Sequence, residues 1–194
     1  MVISSESDIK IRKAQAWAAF WKMKALFRSK TLSIHLKRNI FQAACLSILL
    51  YGCESWIITN QLEHSLNTFA NNCYRVMLNI KRSDRISNQE IYNKIGLDPL
   101  TTIIQRRQLS YVGHCLRKDR NKELISQYVL YQPRPSHGHQ KPGKPTLTYP
   151  DYIGKLINKD IPPSVEEIRI AANNRTEWKR RIVDACKPLV FSVD

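Results

Sequence analysis

Gln61-Leu62-Glu63-His64-Ser65-Leu66-Asn67-Thr68-Phe69-Ala70-Asn71-Asn72-Cys73-Tyr74-Arg75-Val76-Met77-Leu78-Asn79-Ile80 decides the fold class. Its apolar residues, Leu62, Leu66, Phe69, Ala70, Cys73, Val76, Met77 and Ile80, recur in steps of three, four and one, which places them on one wide face of an α-helix. Asn60 just ahead is an expected N-cap. Upstream, residues 33–51 carry Leu36, Ile40, Ala44, Ser47 and Leu50 at near-helical steps, widened by Phe41, Ile48 and Leu49. Residues 8–28 carry Ile11, Ala14, Ala18, Trp21, Ala25 and Phe27 among basic residues. The three segments are expected to pack as an antiparallel helical bundle over residues 1–82.

Downstream the pattern stays helical. Ser87 to Glu90 fits a capping box ahead of Ile91, and Gly96 is placed to end that short helix. Leu100 to Arg117 reads as a second helix in which Ile103, Ile104, Leu109, Val112 and Leu116 pack while Arg106, Arg107, Arg117 and Lys118 stay outside. Residues 83–131 are thus expected to form a basic helical hairpin. A DNA-reading helix-turn-helix is the less favoured version of the same pattern. Residues 132–147, rich in Pro, Gly and His, cannot propagate a helix and read as a basic linker. Residues 148–194 read as a small C-terminal helical cap: a helix over Asp151–Lys159, one capped by Ser164, and one over Glu177–Lys187 around Trp178, Ile182 and Cys186. The predicted class is all-α.

Composition bounds the function. The 194 residues are 43% hydrophobic, enough for a real core, but 31 Lys+Arg against 16 Asp+Glu leave a net charge of +15. Nine basic and two acidic residues fall in 1–50, and the same numbers in 101–150, so the excess is localised. Localised positive charge selects polyanionic partners, nucleic acid first and anionic membrane second. No apolar run approaches the ~20 residues of a membrane span. No secretory leader is visible, and five scattered cysteines form no disulfide framework, so a nuclear or cytoplasmic, non-secreted protein is expected.

Catalytic constellations are thin. Two-metal chemistry needs clustered carboxylates. The nearest approach is Asp151 with Glu166, Glu167 and Arg169, a nuclease-like spacing with arginine where a lysine is needed, and the two glutamates read better as first-turn acids on a helix dipole. His114, Cys115, His137 and His139 lack the paired spacing of structural zinc sites, and whether they bind a metal stays open. Cys45 and Cys73, on apolar faces, read as buried hydrophobes. No phosphate-cradling glycine loop and no nucleophile elbow is present, and no cofactor is expected.

What remains is basic residues interleaved with aromatics. Lys22, Lys24, Arg28 and Lys30 follow Trp17, Phe20 and Trp21 and flank Phe27. Arg106, Arg107, Arg117 and Lys118 surround Tyr111, and Lys141 and Lys144 punctuate the linker. Such cations neutralise phosphates, and exposed rings can stack on bases, although the rings themselves read first as core.

Several stretches resemble a known family. Leu49-Leu50-Tyr51-Gly52-Cys53-Glu54-Ser55-Trp56 resembles the L-L-Y-G-x-E-x-W signature that follows the palm in non-LTR (LINE-type) retrotransposon reverse transcriptases. Asn88-Gln89-Glu90-Ile91 through Gly96-Leu97-Asp98-Pro99-Leu100 resembles its N-x-E-(I/V) to G-L-x-P-L stretch. Arg106-Arg107-Gln108-Leu109-Ser110-Tyr111-Val112-Gly113-His114-Cys115-Leu116-Arg117 resembles its R-R-x-L-x-(W/Y)-x-G-H-x-x-R. Lys141 to Thr148 resembles the basic G-R-P-x-x-T segment, and Asn174-Arg175-Thr176-Glu177-Trp178-Lys179 the (D/N)-R-x-x-W-(R/K) motif. The five lie in order across most of the chain. Lys144 stands where arginine is usual and Tyr111 where tryptophan is commoner; the first exchange removes a bidentate fork.

The resemblance implies the thumb and post-thumb region of an RNA-directed DNA polymerase, beginning just after the palm and without its Y/F-x-D-D metal-binding loop. The expectation is a thumb-like bundle that grips RNA, DNA or an RNA–DNA hybrid through phosphates. It would act non-catalytically, beside the upstream palm of the same element or as a truncated relic. Lys22, Lys24, Arg28, Lys30, Arg106, Arg107, Arg117, Lys118, Lys141 and Lys144 are the expected nucleic-acid-binding residues. Tyr51, Trp56, Gly113 and His114 are motif positions expected to be structural first. The competing expectation is a free-standing protein-interaction module derived from a degenerate element.

Overall fold

The computed structural model describes residues 5–131 and 147–187, and among these the chain is all-α, without a strand. The expected linker, with Lys141, Lys144, His137 and His139, lies almost wholly outside the described residues. The chain divides into two compact units, residues 1–104 and 105–194.

In the first unit, α1 (Ser5–Lys22) breaks at Met23 and gives way to the short α2 (Lys24–Arg28). α3 (Ile34–Phe41) runs through a π-helical turn, Gln42–Leu46, into α4 (Ser47–Leu49). Gly52, at φ 74°, makes the left-handed turn after α4 that a side chain would strain. α5 (Asn60–Met77) follows, then α6 (Asn88–Ile95), ended by Gly96 at φ 69°. α6 starts on the expected capping box: the Ser87 hydroxyl accepts from Glu90 N–H and the Glu90 carboxylate from Ser87 N–H at 2.9 Å. α5 is capped by Thr59 rather than Asn60, because Thr59 holds the extended conformation that aims its hydroxyl at the Leu62 N–H.

The α5 face is buried as its spacing predicts. Leu66, Phe69, Ala70, Cys73 and Met77 are buried, and Leu62 packs half-buried against them. The faces of α1 and α3 differ from expectation. On α1 the core takes Ile9, Ala16 and Phe20, whereas Ile11, Ala14, Ala18 and Trp21 are exposed. Two apolar stripes share that helix at the same period, and volume chooses between them. Phe20 stacks on Phe27 at 4.6 Å and meets Phe41 edge-on, a better filling than the alanines of the other stripe offer. From α3 onward the buried line is Lys37, Phe41, Cys45 and Leu49, so Phe41, Leu49 and also Leu50 pack as expected, whereas Leu36 is exposed and Ile40 and Ala44 are half-buried. Lys37 enters because its Nζ donates to the Met77 carbonyl at 2.9 Å, satisfying an acceptor that the end of α5 leaves without a helical donor. Desolvation holds its pKa below the usual lysine range.

The expected boundary at residue 82 does not separate cores. Ile91, Ile95, Leu100 and Ile104 are buried in the same cluster as Phe41 and Leu66, so α6 belongs to the first unit and does not pair off as half of a separate hairpin. α7 (Leu100–Leu116) opens in the first unit, and most of its length lies in the second.

The second unit adds α8 (Leu124–Tyr128), α9 (Tyr149–Ile157), α10 (Val165–Asn173) and α11 (Arg175–Ala185). α9 begins two residues before the expected Asp151, because Thr148 and Asp151 form its capping box. The organising contact is made by Trp178. Its indole N–H donates to the Leu109 carbonyl at 2.9 Å, and the ring lies where a Cβ on Gly113 would be, 2.0 Å from Nε1. Only glycine at 113 admits that ring. Gln108, fully buried, accepts from the Tyr152 hydroxyl at 3.0 Å and ties α9 to α7.

Candidate nucleic-acid interface

The first basic group lies on the end of α1, on α2 and on the turn after it. Lys22, Arg28 and Lys30 are exposed and form no ion pair among the described residues. Lys24 sits over the exposed Trp21 ring at 4.1 Å, a cation–π pair at the surface. Phe20 and Phe27 are spent on the core, so Trp21 is the ring this run offers to solvent.

The second group is divided by the structure. Arg106, Arg107, Arg117 and Lys118 are all exposed, and Lys118 reaches Glu123 at 3.9 Å. Arg117 donates from Nη1 to the Ala172 carbonyl at 3.0 Å, which gives it a packing role between α7 and α10 that its sequence position does not announce. Nothing local in sequence could have told it from Arg107.

Electrostatics turns on where the carboxylates go. Glu90, Asp151 and Glu167 each close a capping box on their own helix, and Asp84 accepts from the Lys81 N–H at 2.7 Å. Glu177 holds Arg180 and Arg181, and Asp184 holds Lys187, all within α11 or its end. Backbone and side-chain hydrogen bonds from Ser87 and Ser164 lower the pKa values of Glu90 and Glu167. These carboxylates therefore compensate helix N-termini and local partners, and Lys22, Arg28, Lys30 and Arg107 keep their charge uncompensated by any ion pair among the described residues.

The same accounting dissolves the nuclease-like spacing. Asp151 and Glu167 are caps, and Arg169 donates to the Ser126 carbonyl at 3.0 Å. Among the described residues no three His, Cys, Asp or Glu side chains gather around a common point. His114 is exposed while Cys115 is buried, so the adjacent pair points apart, and burial raises the Cys115 thiol pKa. All five cysteines are buried and none is in a disulfide.

Of the motif positions, Trp56 and Gly113 are structural: the Trp56 indole donates to Asp8 at 2.8 Å, pinning the turn after Gly52 to the start of α1. Tyr51 is exposed, with the Arg12 guanidinium 4.5 Å over its ring, and His114 faces outward. The sequence reading passed over Lys10 and Lys13, which line an open groove between α1 and α5 of about 520 Å³. The available signal was the spacing of Lys10, Lys13 and Trp17 along one helical stripe, which meets the exposed apolar one at Ala14. No family model, curated protein or solved structure matches the chain.

Proposed function

We propose that this chain is a non-catalytic nucleic-acid-gripping module. It binds RNA or an RNA–DNA duplex through phosphates, as the thumb and post-thumb part of a non-LTR retrotransposon reverse transcriptase or a descendant of one. The observation that carries the gripping role is the disposition of charge. Lys22, Arg28, Lys30 and Arg107 are exposed without ion pairs among the described residues, while Glu90, Asp151, Glu167, Glu177 and Asp184 are committed to helix caps and neighbouring cations. The retroelement origin is supported by the five ordered sequence resemblances alone.

Salt dependence tests the role. Replacing Lys22, Arg28, Lys30 and Arg107 together by Gln leaves the core untouched. It should reduce the slope of log affinity against log salt for an RNA–DNA duplex by roughly two to four units. An unchanged slope in well-folded protein removes these faces from the interface. The exposed Leu124, Ile125, Tyr128 and Tyr131 on and after α8 favour the second reading, a protein-interaction module. That reading requires nucleic-acid affinity to be absent or nearly independent of salt.

A further inference from the structure

The groove between α1 and α5 has a chemistry that phosphate gripping by the α1–α2 end does not use. Its deeper lining is aromatic: Phe69 is buried and Trp17 half-buried, the two rings 5.5 Å apart and edge-on. Its exposed lining carries Lys10, Gln61, His64 and Thr68, and Lys13 and Asn72 are half-buried. No carboxylate lines it. Glu6 holds Lys10 from one turn upstream at 2.7 Å, in a pair more than half exposed on both sides, and such a pair exchanges partners at little cost. Lys13 donates to the Ser65 hydroxyl at 2.6 Å, which fixes its ammonium at the junction of the two helices. A volume near 520 Å³ lies within the range of small-ligand sites. Rings below, amides and an imidazole at the sides, and two ammonium groups at one end match a nucleotide: a planar base, hydrogen-bonding edges and a phosphate. An apolar partner helix would find too little apolar floor and two lysines to desolvate.

We infer that the α1–α5 groove is a subsite for one unstacked nucleotide of a single strand, its base against Trp17 and Phe69 and its phosphate on Lys10 and Lys13. This rests on the nucleic-acid reading above and adds to it a preference for single-stranded segments at this groove. The partner chemistry, base plus phosphate, is shared by a free nucleotide, and the test separates the two sources.

The experiment titrates the full chain with a dodecamer of uridine, with uridine monophosphate and with an RNA–DNA duplex. It then maps photo-crosslinks from 4-thiouridine placed within the dodecamer. Lys10→Gln with Lys13→Gln should weaken the single strand about tenfold and lower its salt slope by about one unit, leaving the duplex unchanged. Thr68→Glu, at an exposed position that spares the core, should do the same by repulsion. Crosslinks should fall within residues 10–17 and 61–72. Crosslinks elsewhere, or single-strand affinity unmoved by both variants while duplex binding persists, overturn the subsite and leave the gripping role standing. Equal affinity for uridine monophosphate and the dodecamer overturns the assignment to a strand. No binding of either polymer by the parent chain overturns both.

Discussion

Gly113→Ala is a one-methyl perturbation aimed at the second unit. The added Cβ would stand 2.0 Å from Trp178 Nε1 and 2.4 Å from Cδ1, where 3.4 Å is ordinary contact, so the indole must retreat. Retreat stretches the 2.9 Å bond to the Leu109 carbonyl and strands a buried N–H, since Trp178 is only 2% exposed. The stranded donor costs about 1–3 kcal/mol and the overpacking a similar amount. Alanine returns about 1 kcal/mol of helix propensity. The net expected loss is about 3 kcal/mol, a drop in unfolding midpoint of order 10–20 °C for a unit of this size. Urea and thermal unfolding followed by circular dichroism, with hydrogen exchange over residues 105–116, read it directly. Adding Trp178→Leu should absorb most of the alanine's cost, giving a coupling of about 1–3 kcal/mol. If Gly113→Ala is as stable as the parent, the ring is not seated on residue 113 and the account of the second unit is wrong.

Four more outcomes are expected. Leu66→Ala, at a fully buried site, should cost about 2–5 kcal/mol through cavity formation, and a midpoint within a degree or two of the parent would contradict the α5 register. Glu90 and Glu167 have pKa values lowered in the folded state, so the unfolded chain binds more protons below pH 4.5. Stability should therefore be complete above that pH and fall as pH drops through it, and Glu90→Gln with Glu167→Gln should flatten the fall in acid titrations of unfolding. Burial raises the thiol pKa values of Cys45, to about 11, and of Cys73, so stability should decline as pH rises past the ordinary thiol value of 9. A disulfide reagent at neutral pH should then modify no thiol in the native chain and all five in denaturant; rapid native labelling would contradict the packing. Magnesium should support neither primer extension nor nicking by the isolated chain, and nicking abolished by Asp151→Ala would overturn the capping role of that carboxylate.

What the sequence made legible was local. The box at Ser87–Glu90, the cap at Ser164 and the stop at Gly96 are set by residues within a turn of one another, and the structure has them where the spacing puts them. The α5 face was readable because a single wide stripe had no rival. α1 and α3 were not, for two reasons. Period alone cannot rank two stripes of equal spacing, and a hydropathy pattern excludes from the core the Lys37 that the end of α5 draws in. The candidate site divides the same way. Exposure of Lys22, Arg28 and Lys30 follows from their charge, whereas the use of Arg117 on the Ala172 carbonyl depends on a partner 55 residues away. The units also regroup: α6 reads as half of a hairpin until Ile91 and Ile95 are seen in the first core.

The π-helical turn at Gln42–Leu46 carries one residue more than an α-helix would need to cover the same rise. Each residue of an α-helix advances the phase by about 100°. The wide turn absorbs that advance, so excising one of the exposed residues there, Gln42 or Ala43, should leave an unbroken α-helix whose later residues keep their faces. Leu49 and Leu50 would stay on the buried face with Phe41, and the turn at Gly52 would stay by the α1 end to which Trp56 is bonded. The π-helical turn is thus the point in this helix that best accepts the loss of a residue, whereas a deletion in its purely α-helical stretches would rotate every later side chain by about 100°.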